Sequence, residues 1–271
     1  MRKRISEERR IAQGRGSGYG SGYLPWLNIR DGSSSQGWTG TITGRKVGRD
    51  HTYLSKLEYY AIYLLQDDDE IIDIREQYPL LDKKETIEIA REKGITHPRN
   101  KDGRPVVMTT DFLVTFGSAS NCHIALPVKQ KKALEDEHVL EWLEIDRIYH
   151  QRRNHGWKLL TEDELDIPRA KNLSIFDEYW DYDKTKLTDL SIREIEYAAY
   201  ELLKDSPEVP LRSICSDCDR HLALDDGATL ATVQHLLARK QWKIDMRQPF
   251  EPEGILRGIA RSSAAVGGTN A

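Results

Sequence analysis

The chain has 271 residues and a formal net charge of −4, and 38% of its residues are hydrophobic while 31% are charged. This length suits one large domain or two smaller ones, and the sequence has no run of about 18 apolar residues that would predict a membrane span. Three cysteines give no disulfide framework and suit a reducing cytoplasm, where we expect the protein. A stand-alone DNA-binding protein usually carries a basic excess, so the net charge disfavours tight autonomous binding to DNA.

Residues 1–50 are predicted to form a glycine-rich N-terminal arm and loops. Residues 14–22 contain Gly-x-Gly spacing, but the strand before it and the helix after it that a dinucleotide-binding fingerprint requires are missing from the pattern. We therefore predict a flexible arm. The aromatic residues Tyr19, Tyr23 and Trp26 either stack on nucleic-acid bases or pack the arm onto the protein, and the sequence does not decide between these roles.

A helix is predicted over residues 53–66, because apolar residues recur there at helical spacing. Glu58 falls on the apolar face of this helix. Ser55 and Glu58 also match a capping box, in which the glutamate only bonds a backbone amide at the start of the helix. On this segment alone, a capping role and a functional role for Glu58 are both open.

The elements that follow predict a mixed α/β domain over residues 51–167. Two of its strands matter most, because residues 105–115 form a buried strand that carries Asp111 and residues 123–129 form a strand that ends at Lys129. The other predicted elements are a strand at 71–75, helices at 82–93 and 133–154, and a strand at 157–160.

A second, smaller domain is predicted over residues 187–255, after a charged and aromatic linker at 168–186. Its predicted order of helix, helix, turn, helix and strand is the order of a winged-helix domain. Residues 256–271 are rich in serine, alanine and glycine toward their end, and we predict a disordered tail there.

Asp111 and Lys129 are the residues that most strongly indicate chemistry. A carboxylate inside an apolar strand is costly unless it is paired or functional. Together with Glu58 and the backbone carbonyl of Val128, Asp111 would supply the oxygen ligands that Mg²⁺ or Mn²⁺ prefers. The Lys129 ammonium would then lie near the attacking water or the phosphate. This set predicts metal-dependent phosphodiester hydrolysis, and a structural ion pair between Asp111 and Lys129 is the alternative.

A second candidate metal site is the pattern Cys215-x-x-Cys218-x-x-His221, which is half of a zinc site. The remaining thiol, Cys122, lies in the other predicted domain. Small residues buried along a helix explain the same pattern, so we expect no zinc site.

Several stretches of the chain resemble the TnsA family, the transposon end-cleaving endonucleases of heteromeric cut-and-paste transposons. The resemblance runs from about residue 9 to residue 162 and is weaker over the second domain. The segments that match the catalytic residues of the family are Leu54-Ser55-x-Leu57-Glu58 for a glutamate, Val107–Val114 for the aspartate Asp111, and Val128-Lys129 for a lysine. Further matches are Gly14–Gly20 with Tyr23–Leu27, Asp73–Leu80, and Gly94-Ile95-x-His97-Pro98.

The resemblance implies a restriction-endonuclease-like catalytic domain with a mixed sheet, and a smaller C-terminal winged-helix-like domain. It implies cleavage of the 5′, non-transferred DNA strands at transposon ends in a bacterial cytoplasm, with Mg²⁺ as cofactor and Glu58, Asp111 and Lys129 as catalytic residues. The implied partners are DNA, a TnsB-type transposase that cuts and joins the 3′ ends, and a TnsC-type ATPase regulator. Some related systems also use a CRISPR-linked targeting complex.

Pro127 departs from the family pattern, because related sites have a glutamine or an acid two residues before the lysine. Proline supplies no side-chain ligand, but its carbonyl and that of Val128 remain. Asp146 matches a carboxylate position on the following helix, where it either supports the metal ligands from behind or is a solvated surface charge. The basic residues that we expect to contact DNA are Arg15, Lys131 and Lys132.

Three functions are therefore open. The first is a magnesium-dependent endonuclease that acts only inside a transposase complex, which fits the modest net charge. The second is a catalytically weakened adaptor that assembles on TnsC and DNA, and Pro127 motivates it. The third is a free-standing restriction or repair nuclease, which would cleave DNA without partners.

Overall fold

The computed structural model describes residues 5–31, 38–117, 122–181 and 188–262. The chain divides into two units, the first ending at Leu165 and the second beginning at Asp166. Within the described residues, no helix is long and apolar enough to cross a membrane.

A four-stranded mixed sheet forms the centre of the first unit. Its order is β3-β4-β5-β6, with antiparallel pairing between the first three strands and parallel pairing of β6 with β5. The strands of this unit are β1 Gly40–Ile42, β2 His51–Tyr53, β3 Ile71–Pro79, β4 Thr109–Phe116, β5 His123–Leu126 and β6 Gly156–Trp157. Its helices are α1 Glu7–Ala12, α2 Lys56–Asp67, α3 Lys83–Lys93 and α4 Glu137–Gln151.

Local signals in the sequence set the bounds of the helices in this unit. Ser55 caps α2 by accepting a hydrogen bond from the amide of Glu58, and Asp82 caps α3 in the same way. Gly94 ends α3 with φ 68°, a left-handed conformation that glycine adopts without strain. The predicted helices at 53–66 and 82–93 are therefore confirmed. The long helix predicted at 133–154 is α4, preceded by a short 3₁₀ turn at Lys131–Glu135.

β4 lies inside the sheet between β3 and β5, and six of its eight residues are buried. That position explains its nearly continuous apolar sequence, because both of its faces are covered. Helix α3 packs against α4, and α2 packs against β2 and β3. A core cluster joins the end of β3 to α3 and α4, and its members are Leu80, Ile89, Ala90, Ile145 and Tyr149.

The glycine-rich segment is a packed loop, so the prediction of a flexible arm at 14–22 is wrong. We call residues 14–26 the glycine loop. It is closed by a hydrogen bond of 2.7 Å from the amide of Gly16 to the carbonyl of Leu24. Gly16 also lies so close to β3 that a Cβ atom there would be 2.1 Å from Cγ of Pro79. Tyr23 and Trp26 are each 1% exposed, so these aromatic residues pack the segment onto the first unit.

Among the described residues, the second unit has four helices followed by a short pair of strands. Its elements are the helices α5 Ile167–Asp177, α6 Asp189–Asp205, α7 Leu211–His221 and α8 Ala228–Ala238, and the antiparallel strands β7 Trp242–Lys243 and β8 Ala260–Arg261. Its core is formed by apolar residues of all four helices and of β7, including Phe176, Ala199, Leu211, Val233 and Trp242.

Two predictions for this part of the chain need correction. Helix α5 lies within the stretch predicted as a linker at 168–186, and Phe176 at its end is buried in the core of the unit. Asp166 caps α5 and Pro168 stands in its first turn, which is the usual chemistry of a helix start. Within the tail predicted at 256–271, β8 pairs with β7, so those residues are ordered. Residues 182–187 and 263–271 lie outside the described residues.

Candidate active site

Asp111 lies near the start of β4 and is 9% exposed. Its Oδ2 atom accepts hydrogen bonds from the amide of Val128 at 2.7 Å and from Nζ of Lys129 at 2.9 Å. Asp111 has one neighbour on each adjacent strand. On the β3 side, the pairs Glu76–Phe112 and Tyr78–Thr110 place Gln77 beside it. On the β5 side, the pair Phe112–Leu126 places Pro127 beside it. Asp111 is therefore not paired with either of these two neighbours.

Lys129 follows β5 and reaches back to Asp111. Its Nζ atom lies 2.9 Å from Oδ2 of Asp111 and 3.0 Å from the carbonyl oxygen of Val128. Its side chain as a whole is 35% exposed. Burial alone would lower the pKa of Lys129, but the neighbouring charges of Asp111 and Glu58 outweigh burial and raise it. Lys129 is therefore a permanent positive charge at neutral pH.

Glu58 lies in the first turn of α2 and is 6% exposed. Its Oε2 atom accepts hydrogen bonds from the amide of Leu54 at 3.0 Å and from Nε2 of Gln77 at 3.1 Å. Burial, followed by the charge of Asp111, raises the pKa of Glu58 to about 7. The cap itself is Ser55, and the Glu58 side chain instead accepts from Leu54, the residue before the cap. The functional role of Glu58 stays a prediction.

The oxygen atoms of this cluster are of the type that hard cations prefer. The Lys129 ammonium is held by Oδ2 of Asp111 and the carbonyl oxygen of Val128, so these two oxygens already converge on one point of positive charge. The repulsion between Glu58 and Asp111 is the electrostatic condition that a divalent cation relieves. Among the described residues, no group of three His, Cys, Asp or Glu side chains is arranged to hold a metal ion. A cation here would therefore depend on two carboxylates, a carbonyl and water, as Mg²⁺ commonly does.

Asp146 is buried behind this cluster on α4, with 4% exposure, so it is not a solvated surface charge. It accepts hydrogen bonds from the hydroxyl of Thr110 and from Nε1 of Trp157, the latter at 2.6 Å. Burial raises the pKa of Asp146 to about 6. Because Thr110 directly precedes Asp111, Asp146 fixes the strand beside the candidate site.

His150 extends this network, one helical turn after Asp146. Its Nε2 atom lies 2.7 Å from the hydroxyl oxygen of Thr110, and its Nδ1 atom lies 3.0 Å from Nδ1 of His155. Burial lowers the pKa of His150 to about 3 and that of His155 to about 4, so both imidazoles are neutral at pH 7. His150 is not among the residues predicted from the sequence, although the Asp146-x-x-x-His150 spacing puts both residues on one helix face.

The basic residues predicted to contact DNA fall into two groups. Lys131 and Lys132 are exposed in the 3₁₀ turn that follows Lys129, and Lys131 pairs with Asp163 at 2.5 Å. Arg15 instead lies inside the first unit, where its side chain is 10% exposed and forms an ion pair with the buried Asp31. The DNA contact by Arg15 stays a prediction, and the ion pair with Asp31 favours a structural role for its guanidinium.

The cysteine pattern of the second unit belongs to its core. Cys215 and Cys218 are 2% and 0% exposed within the apolar cluster of that unit, whereas His221 is exposed. Burial raises the pKa of the Cys215 thiol to about 12, which disfavours the thiolate that zinc requires. The expectation that this pattern is structural agrees with these positions.

Comparisons with known proteins cover both units. The family profile "TnsA-like endonuclease N terminal" matches residues 68–162, and the profile "TnsA endonuclease C terminal" matches residues 164–246. The chain is 33% identical over 243 residues to "Transposon Tn7 transposition protein TnsA" of Escherichia coli, which covers 89% of this chain and 86% of that protein. Asp111 and Lys129 lie inside the first matched range, and Glu58 lies before it.

Proposed function

Because the chain belongs to the TnsA family of transposition endonucleases, we propose that it is the metal-dependent subunit that cleaves the 5′, non-transferred strands at transposon ends. The observation that carries this proposal is the convergence of Asp111, Lys129 and Glu58. Oδ2 of Asp111 lies 2.9 Å from Nζ of Lys129, and the charge of Asp111 acts on the buried Glu58. Two acids that could hold a cation and one lysine that could face the phosphate suit metal-dependent hydrolysis of a phosphodiester.

The proposed ligands of Mg²⁺, or of Mn²⁺ in its place, are the carboxylates of Asp111 and Glu58 and the carbonyl of Val128. When bound, the cation would neutralise phosphate charge and make water a better nucleophile. Glu58 would enter the site ionised, and its contact with the positive charge would offset the repulsion from Asp111. Lys129 would direct its ammonium toward the developing negative charge on phosphate.

The architecture is consistent with two finer structural proposals. We propose that the first unit is restriction-endonuclease-like, since its mixed sheet carries the acid on β4 and the lysine just after β5, with a further acid on α2. We propose that the second unit is winged-helix-like, since α6, α7 and α8 precede the β7–β8 pair. The proposed partners are transposon-end DNA, a TnsB-type transposase, a TnsC-type ATPase and, in some systems, a CRISPR-linked targeting complex.

The adaptor alternative rests on Pro127. Its side chain has no ligand atom, and its carbonyl accepts a hydrogen bond of 2.9 Å from the amide of Leu160. Residue 127 therefore contributes to the backbone path around the site rather than to the ligand set. An adaptor would bind TnsC and DNA while leaving the 5′ strands uncut.

In vitro transposition with the partner proteins tests the proposal. Wild-type protein should give simple insertions, whereas Asp111→Ala and Lys129→Ala should give cointegrates, because 3′ joining continues when the 5′ strands stay uncut. Asp102→Ala and Lys84→Ala are matched controls at exposed positions and should behave as wild type.

Each other outcome selects a different function. Cointegrates from the wild-type protein would support the adaptor. Unchanged products from Asp111→Ala would show that the catalytic site lies elsewhere. Cleavage of DNA by the protein alone, at the same rate as with its partners, would support a free-standing nuclease.

A further inference from the structure

Gln77 has a left-handed backbone conformation, which is unusual for a residue inside a β-strand. Its φ is 49°, in the left-handed region, although it lies within β3. The other described non-glycine residues with positive φ are Asn154, Ala223 and Lys240, and each follows the end of a helix, where such a conformation is common. A non-glycine residue held there costs about 1–3 kcal/mol and persists only when its surroundings fix it.

Two hydrogen bonds fix Gln77 in this conformation, at a position where it is not paired with the neighbouring strand. The register of β3 with β4 places it directly across from Asp111, at the one position between Glu76 and Tyr78 where the pairing lapses. Its backbone carbonyl accepts a hydrogen bond of 3.3 Å from the amide of Trp26 in the glycine loop. Its side-chain Nε2 donates a hydrogen bond of 3.1 Å to Oε2 of Glu58. The side chain is buried, with 3% exposure of the residue.

The hydrogen bonds to Glu58 distinguish its two oxygen atoms. Within the described residues, the bonds from Leu54 and Gln77 both fall on Oε2. The side chain of Ser55 also bonds this carboxylate, and the two bonds to Oε2 leave Oε1 as the oxygen that Leu54 and Gln77 do not hold. The last torsion of glutamate is a soft degree of freedom, which the bonds from Leu54 and Ser55 restrict. The bond from Gln77 restricts it further.

We propose that Gln77 is a positioning residue of the candidate site, which orients Glu58 so that Oε1 faces the Mg²⁺ or Mn²⁺ ion shared with Asp111. This inference rests on the proposed function, since it assigns a partner to one of the proposed ligands. The glycine loop contributes to this positioning, because the amide of Trp26 donates a hydrogen bond to the backbone carbonyl of Gln77. Residues that orient a metal ligand change metal affinity about 10–100-fold when they are replaced.

Gln77→Gly separates the proposed role from a merely structural one. Glycine adopts positive φ without strain, and this relief should offset part of the stability lost with the buried hydrogen bond to Glu58. The variant lacks the amide, so its affinity for Mn²⁺ should fall by about tenfold or more. Mn²⁺ alone is titrated calorimetrically into the full chain without DNA, and the melting temperature is measured in EDTA.

Ile71→Val is the control for a general loss of stability. Ile71 is buried at the opposite end of β3, about 20 Å from Gln77 along the strand, and its truncation should lower the melting temperature without changing Mn²⁺ affinity. An affinity of Gln77→Gly within twofold of the wild type would overturn the proposal. So would an equal loss of affinity in Ile71→Val, because the loss would then follow stability.

This titration distinguishes a failure of the proposed metal-dependent function from a failure of the role proposed for Gln77. If wild-type protein does not bind Mn²⁺, the proposed metal-dependent function fails and the role of Gln77 fails with it. If wild-type protein binds Mn²⁺ and Gln77→Gly binds it equally well, only the positioning role is wrong.

Discussion

Replacing Glu58 by glutamine should stabilise the metal-free protein while abolishing cleavage. The pKa of Glu58 rises from its ordinary value of 4.5 to about 7 in the folded chain, through burial and then the charge of Asp111. The folded state therefore binds this proton more tightly than the unfolded state, and stability falls as the pH rises from about 4.5 to about 7. At pH 8 the ionised side chain costs about 3 kcal/mol. Glutamine resembles the protonated carboxyl and avoids that cost.

Calorimetry in EDTA at two pH values measures this effect. At pH 8, Glu58→Gln should unfold about 6–12 °C above the wild type, since 1 kcal/mol moves the melting temperature of a domain of this size by about 2–4 °C. At pH 5 the difference should shrink to about 1 kcal/mol, because much of the wild-type cost appears only above that pH. If the two units unfold in separate transitions, the transition of the first unit should move.

Glu88→Gln is the matched control for that experiment. Glu88 is exposed on α3, so its replacement should change stability by less than about 0.5 kcal/mol at either pH. If Glu58→Gln has the same stability as the wild type at pH 8, or a lower one, Glu58 does not bear an unfavourable charge beside Asp111. The electrostatic argument for a cation at this place would then be refuted.

Three further replacements test separate parts of the structure. Asp146→Ala should destabilise the protein by about 2–4 kcal/mol in thermal unfolding, because it leaves the donors of Thr110 and Trp157 without their acceptor. Pro127→Gln should change the rate of 5′ cleavage by less than about tenfold, the lower limit typical of groups that orient a ligand, since the ligand set is complete without that side chain. Gly18→Ala should lower stability by about 2 kcal/mol or more, because φ is +94° and a Cβ atom would lie 2.3 Å from a backbone oxygen of the same loop.

Each of these replacements has an outcome that contradicts its reasoning. An Asp146→Ala protein with wild-type stability would mean that water replaces the lost acceptor. A large gain in cleavage by Pro127→Gln would show that the native site is compromised. Unchanged melting of Gly18→Ala would mean that the glycine loop contributes little to the stability of the first unit.

The parts of the site that could be predicted from the sequence depend on local signals. Ser55 and Glu58 form a cap within one turn of helix, and the acid in β4 stands out because its neighbours are apolar. The convergence of these residues was available only through the family resemblance, since no local pattern brings α2 to β4. A helix cap joins residues three positions apart, whereas strand pairing joins residues far apart in the sequence. For this reason the cap could be predicted and the convergence could not.

The parts that could not be predicted depend on contacts between distant segments. The glycine loop looked flexible because its partners, Gln77 and Pro79, lie more than 50 residues further along the chain. The positive φ of Gln77 is set by that loop and by Glu58, so a strand pattern alone cannot show it. Helix α5 is different, because Asp166 and Pro168 were visible start signals that the charged and aromatic composition obscured.

The glycine loop also bears on the behaviour of shortened chains. β3 has nine residues and lies at one end of the order of the sheet, so its outer side is an edge that another strand could join. Trp26 donates to the carbonyl of Gln77 on this strand, and the hydroxyl of Tyr23 donates to the carbonyl of Glu76. A chain that begins after residue 27 would expose those carbonyls, and it would self-associate through β3 even if its catalytic residues were intact.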